Sequence, residues 1–140
     1  MKKGIIALAA LLAAVPVSAH DYSINVNIDA QTISLLDAGD VILSSDCTTG
    51  NAGTHDTPTG EYWISYKTEG AVLSGSDYCV TVDYWMSFCG GIGIHDASWR
   101  DCFGGDIYQG SGSHGCVNVP AWMAAELYSL CDVGTPVFVY

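Results

Sequence analysis

The sequence predicts a mainly β domain with one helix close to its C-terminal end. Apolar and polar residues alternate without a break over residues 22–29, the two-residue period of a half-buried strand. Turn-forming glycine, proline and aspartate separate that segment from five further strand-like ones. Helical spacing appears over residues 121–131, after all six of these strands.

The chain opens with Met1-Lys2-Lys3, an apolar run over residues 4–15, and Pro16-Val17-Ser18-Ala19. A basic start, a short apolar run and small residues at its end read as a secretory signal peptide over residues 1–19. The run is too short for a membrane span, which needs about 20 apolar residues. The segment holds no cysteine, so it is not a lipoprotein signal. Cleavage after Ala19 leaves residues 20–140 as one secreted domain, long enough for a single core.

Residues 22–29 and 31–36 form two strands around a turn at Asp29-Ala30, and residues 40–45 a third after the turn-like Asp37-Ala38-Gly39-Asp40. Residues 48–60 are rich in threonine and glycine and read as a long loop, a kind of segment that tends to be functional. His55 lies within it as a solvated histidine. Residues 61–66 form an aromatic-rich strand, 69–77 a loop, 80–88 a strand and, after Gly90-Gly91, 92–95 another. The glycine-rich stretch 101–112 has no regular period. Pro120 suits the first turn of the helix. Met123, Leu127 and Leu130 then fall on one face, Gly134 ends the element, and residues 135–140 form the last strand.

Fifteen acidic residues face four lysines and arginines, a formal net charge of -11. Loss of Lys2 and Lys3 with the signal removes two positive charges and takes it to -13. Such a surface excludes nucleic acid as a partner and disfavours an anionic membrane. With 49% hydrophobic residues the chain is nonetheless expected to fold. The cysteine and histidine spacings fit no structural zinc motif, so no metal is expected.

The chemistry concentrates in Ser113-His114-Gly115-Cys116-Val117-Asn118. Glycine permits a sharp turn and close approach of a ligand. A thiolate is a strong nucleophile, commonly activated by an imidazole. His95, at the end of a strand, is the candidate base. A helix starting near Pro120 points its positive end toward Cys116, which is expected to favour the thiolate. A free Cys116 leaves Cys47, Cys79, Cys89, Cys102 and Cys131, enough for two disulfides of undetermined pairing. A compartment that is not strongly oxidising leaves all six reduced.

His95, a spacer of seventeen residues and Ser113-His114-Gly115-Cys116-Val117-Asn118 resemble the signature of the L,D-transpeptidase catalytic domain, the YkuD family. Thr57-Pro58-Thr59-Gly60-Glu61-Tyr62, His95-Asp96-Ala97-Ser98-Trp99-Arg100 and Gly134-Thr135-Pro136-Val137 resemble further segments of that family. The similarity covers nearly everything after residue 22. It implies a β-sandwich of mixed sheets with one helix after the catalytic cysteine.

The resemblance implies Cys116 as nucleophile and His95 as general base and later acid. It implies a backbone carbonyl near Asp96 or Ala97 to orient His95, the Asp96 side chain being the alternative. His114 is expected to shape an oxyanion hole with backbone amides around Gly115 and Cys116, or to make a structural hydrogen bond. Ser113 and Asn118 are expected to hold the turn by bonding local backbone. Trp99 and Arg100 are candidate substrate contacts, the guanidinium suiting a peptide carboxylate, and Tyr84 and Trp85 are candidates to line the cleft. The implied substrate is a peptidoglycan stem peptide, acted on by a cofactor-independent, monomeric enzyme of the cell envelope. Attack on the L-centre carbonyl of the third stem residue releases D-Ala. An amine then takes the acyl group to give a 3-3 cross-link. Water as acceptor would make the protein an L,D-carboxypeptidase. An inactive cell-wall-binding domain on the same fold is a further alternative.

Overall fold

The computed structural model describes residues 19–140. The signal-peptide expectation for residues 1–19 therefore lies almost wholly outside the described residues. Strands β1 (Tyr22–Asn27), β2 (Thr32–Asp37) and β3 (Asp40–Asp46) form an antiparallel meander. Strand β9 (Pro136–Val139) runs parallel to β1, and β4 (Gly60–Trp63) pairs antiparallel with β9. This gives a five-stranded sheet of order β3-β2-β1-β9-β4. The second sheet, of order β5-β6-β7-β8, comprises β5 (Tyr66–Ser74), β6 (Cys79–Cys89), β7 (Ile92–Asp96) and β8 (Val117–Val119). Its β7–β8 pair is parallel, so both sheets are mixed. Helix α1 (Ala121–Leu130) links β8 of one sheet to β9 of the other and contacts β6 and β7.

One core joins these elements. Ile24, Val26, Ile33, Leu35, Val137 and Val139 come from the first sheet. Met86, Phe88, Ile94, Val117 and Val119 come from the second, and Met123, Ala124 and Leu127 from the helix. The alternation in residues 22–29 thus does what its period requires: Ile24 and Val26 point inward and Ser23 and Asn25 do not. Leu130, expected on the buried helix face, is only partly buried and packs at the edge of the core.

Three segments differ from the sequence-based reading. Residues 69–77, expected as a loop, are mostly the second half of β5, where Ala71 to Ser74 pair with Val82 to Cys79. The eleven-residue partner β6 supplies a full ladder, and that pairing outweighs a weak local pattern. Residues 61–66, expected as one strand, divide between the sheets. The Ile64 N–H donates to Thr135 O on one side, and the Ser65 N–H donates to Ser87 O on the other. Val117–Val119 forms β8, a strand too short to stand out from its sequence. Among the described residues all six cysteines are free thiols, the reduced one of the two alternatives that the sequence leaves open. Cys47 and Cys131 serve as packing residues, burial pushing their thiols up to about 12 and about 11.

Helix α1 begins directly after Pro120, whose carbonyl accepts the Met123 and Ala124 N–H groups. Its C-terminal carbonyls are satisfied from the second sheet. Lys67 of β5 donates to Tyr128 O at 2.7 Å and Cys131 O at 2.8 Å, with its ammonium 4.2 Å from the Tyr128 ring centre. A cation at this end of a helix also matches its dipole. Among the described residues no helix is long and apolar enough to cross a membrane. Lys67→Met is expected to cost about 1.5–3 kcal/mol, the range for bonds to a charged donor. Urea unfolding would show this as a lower midpoint at unchanged slope, and an unchanged midpoint would mean water replaces the ammonium.

Candidate active site

Sheet register divides strand β7 between core and site. Ile94 stands between Met86 and Val117 and points into the core; His95 stands between Trp85 and Asn118 and points the other way. Residues paired across a sheet share a face, so Trp85, His95 and Asn118 form one row. The Trp85 and Trp99 rings lie 5.8 and 5.9 Å from the imidazole, centre to centre. His95 is only 3% exposed.

His95 Nδ1 lies 2.6 Å from Asp96 O. A carbonyl can only accept, so Nδ1 carries the proton and Nε2 is left as the acceptor. The Asp96 carboxylate is engaged elsewhere. It accepts the Asp83 N–H at 3.0 Å and the Tyr84 N–H at 2.8 Å, where the β6–β7 ladder ends. The backbone carbonyl, not the side chain, therefore orients His95.

Cys116 lines the same cleft as His95, a cavity of about 490 Å³ that also takes in Trp85, Trp99, Arg100 and His114. The loop carrying it is held by its own residues. Gly115 has φ +128°, a conformation that side chains rarely adopt. The Ser113 hydroxyl accepts the Gly115 N–H and donates to Cys116 O, which is the turn-holding role expected of it. Beneath the loop, the Thr57 hydroxyl donates to Gly115 O at 2.7 Å and accepts the Gly50 N–H at 2.8 Å.

Other expected residues fall differently. His114 lies at the rim with its ring stacked on Tyr78 at 4.6 Å, edge-on to His55 at 4.9 Å and 3.6 Å from Asp77. Asn118 holds its neighbourhood through its main chain, which exchanges two hydrogen bonds with Thr48. Its side-chain oxygen is buried without a partner among the described residues, so the expected side-chain bond to the turn is not formed. Arg100 lines the cleft and donates to Ser111 O. Tyr84 does not line it: its ring packs against Tyr128 of α1, on the face opposite Trp85. Tyr78, which lines the cleft, was not singled out in the sequence. It sits in a short connection between strands that carries no local pattern. Nor did any signal mark Thr57 beyond its place in a recurring motif.

The sequence profile of the YkuD family, the L,D-transpeptidase catalytic domain, matches residues 21–139. The chain belongs to this family. The NMR structure of the catalytic domain of the Enterococcus faecium L,D-transpeptidase is 36% identical, with a TM-score of 0.78 over 88% of this chain and 99% of that one. The crystal structure of a cysteine-to-serine mutant of the E. faecium protein gives 36% identity and a TM-score of 0.81. That match covers 86% of this chain but 50% of the other, so this chain spans about half the length of that relative. An L,D-transpeptidase from Mycobacterium smegmatis, 24% identical with a TM-score of 0.76 over 87% of this chain and 59% of that one, shares the fold. No curated protein sequence matches significantly.

Burial shifts the titration of both Cys116 and His95 toward the uncharged form. It pushes the Cys116 thiol up, against a smaller opposing effect of a backbone hydrogen bond from Gly93. It pushes the His95 imidazole down, partly offset by the bond to Asp96 and the Asp96 charge, while Arg100 adds to the lowering. Both shifts favour a neutral thiol and a neutral imidazole in the one cleft, against the thiolate expected from the helix terminus. Helix α1 starts at Ala121, five residues beyond the sulfur. Alkylation of Cys116 by iodoacetamide, followed by peptide mapping against pH, is expected to rise with a midpoint above the ordinary thiol value of 9.0. A midpoint near neutrality would show a stabilised thiolate instead.

Proposed function

We propose that this domain is a cysteine-dependent peptidoglycan L,D-transpeptidase, exported by residues 1–19 to the cell envelope. The observation that carries this reading is a buried imidazole with Nδ1 committed to Asp96 O and Nε2 free, in one cleft with Cys116. In the reaction, Cys116 Sγ bonds to the L-centre carbonyl carbon of the third residue of a tetrapeptide stem. Its proton passes to His95 Nε2 as the attack proceeds, which suits a pair that rests uncharged. The tetrahedral intermediate collapses by breaking the bond to D-Ala, whose nitrogen receives that proton. A thioester remains. The amine of a second stem attacks it, His95 takes the amine proton, and the thiol leaves reprotonated with a 3-3 cross-link formed.

The relatives support this chemistry. The E. faecium catalytic domain is acylated by ertapenem, and a second relative, also 36% identical to this chain, forms a carbamoyl enzyme with avibactam. Trp99 and Arg100 line the cleft on the His95 side and are the proposed contacts for the stem peptide, Arg100 for its carboxylate. His114 and Tyr78 form the proposed wall at the rim.

Intact mass after mixing with a disaccharide-tetrapeptide is expected to rise by the donor minus D-Ala, and after ertapenem by the whole drug. Neither adduct should form on Cys116→Ala. A folded parent with a titratable thiol that forms neither adduct would refute the reading, and a thioester resolved by water alone would make it an L,D-carboxypeptidase. His95→Ala is expected to slow acylation by about 10²–10⁴-fold. The acid limb of the acylation rate should lie below 6.5, the ordinary imidazole value, because burial keeps His95 neutral as pH falls through that point. An acid limb at or above 6.5 would exclude a depressed His95 as the base.

A further inference from the structure

Thr57 lies outside the cleft and touches none of its reacting atoms, yet its hydroxyl has a defined task. It is 3% exposed. A backbone N–H can only donate, so the Gly50 N–H at 2.8 Å occupies an acceptor site of the hydroxyl. The single hydroxyl proton is then directed to Gly115 O at 2.7 Å. The chain Gly50 N–H to Thr57 Oγ1–H to Gly115 O runs one way.

The two outer members of that chain are themselves held. A Cβ on Gly50 would stand 1.8 Å from His55 O and 2.8 Å from the Thr57 nitrogen, so the loop closes on glycine alone. The neighbouring Asn51 N–H donates to Ser113 O, and the Ser113 N–H donates to Thr49 O. The loop before Thr57 is therefore clamped to the segment that carries the nucleophile.

Gly115 O and the Cys116 N–H belong to one trans peptide plane and point in opposite directions. Fixing one aims the other. Gly115 has no side chain to resist rotation of that plane about its Cα–C bond, and Thr57 is the side chain that grips it. We propose that Thr57 is a positioning residue: its hydroxyl locks the Gly115–Cys116 peptide so that the Cys116 N–H faces the oxyanion formed when the thiol attacks. This rests on the function proposed above. The lock matters only when a carbonyl oxygen gains charge, not when the thiol reacts with a reagent that forms no oxyanion.

That distinction supplies the test. Thr57→Val keeps the shape and removes the hydroxyl; Thr57→Ser keeps the hydroxyl. Acylation by ertapenem is expected to fall about ten-fold or more in Thr57→Val, a fraction of the loss on removing an oxyanion donor outright. Alkylation of Cys116 by iodoacetamide, which forms no oxyanion, is expected to stay within about two-fold of the parent. Thr57→Ser should acylate within about three-fold of the parent, since it retains the same donor. Parental acylation in Thr57→Val overturns the proposal. So does an equal loss of acylation and alkylation, or a Thr57→Ser as impaired as Thr57→Val. If Thr57→Val does not fold, Thr57→Ala is read the same way. In the parent itself the Thr57 hydroxyl proton should exchange slowly enough to be seen by NMR, and fast exchange overturns the hydrogen bond on which the proposal stands. A parent that alkylates but is never acylated by ertapenem or the stem peptide overturns the function proposed above and this inference with it. Failure of the Thr57 arm in an acylating parent overturns the inference alone.

Discussion

The geometry of the site depends on Asp96 being engaged at both of its ends. Its carboxylate takes two main-chain amides of β6, so the residue cannot turn. Its carbonyl takes the Nδ1 proton of His95. One residue thereby closes the β6–β7 ladder and sets the tautomer of the imidazole next to it. A carboxylate bonded to His95 directly would have raised that imidazole's proton affinity more strongly. A neutral carbonyl orients the ring and leaves it a moderate base.

Cys116, the proposed nucleophile, is held by different means. The imidazole sits on the central pair of a sheet, whereas Cys116 sits in a loop that needs glycine to form. Rigidity comes to that loop from outside, through hydrogen bonds with residues far away in the chain. Gln31 is wholly buried at φ 52° and bonds Thr49 through both ends of its amide. The Asn51 side chain accepts the Gly110 and Gly112 N–H groups. Thr57 holds Gly115. The threonine- and glycine-rich loop is thus a packed polar layer under the nucleophile, and its buried polar groups are mostly satisfied, as burial demands.

Burial explains the electrostatics as well as the fold. Both reactive groups lie where charge is poorly solvated, so each is pushed toward its uncharged form. In the reaction proposed above, the thiol gains nucleophilic character as the imidazole takes its proton. A resting thiol is also less open to oxidation, which suits a domain with five further free cysteines outside the reactive pair.

Much of this was written in local sequence. The period of residues 22–29, the placement of the one helix, and the two segments that bring His95 and Cys116 to one cleft were marked by spacing and residue type, because those signals are short-range. The family followed from several such segments in order. What local sequence could not decide were matters of pairing. Residues 69–77 became strand because β6 lay beside them. Tyr84 turned from the cleft, since register places Trp85, not its neighbour, opposite His95. His114 stacked on Tyr78, some thirty-six residues away in the chain. Desolvation in the cleft, a property of the folded chain, pushes the Cys116 thiol up against the thiolate expected from the helix terminus. The role proposed for Thr57 is of the same kind. A threonine in a loop carries no local mark of the carbonyl it will hold fifty-eight residues on, because only the folded chain brings the two together.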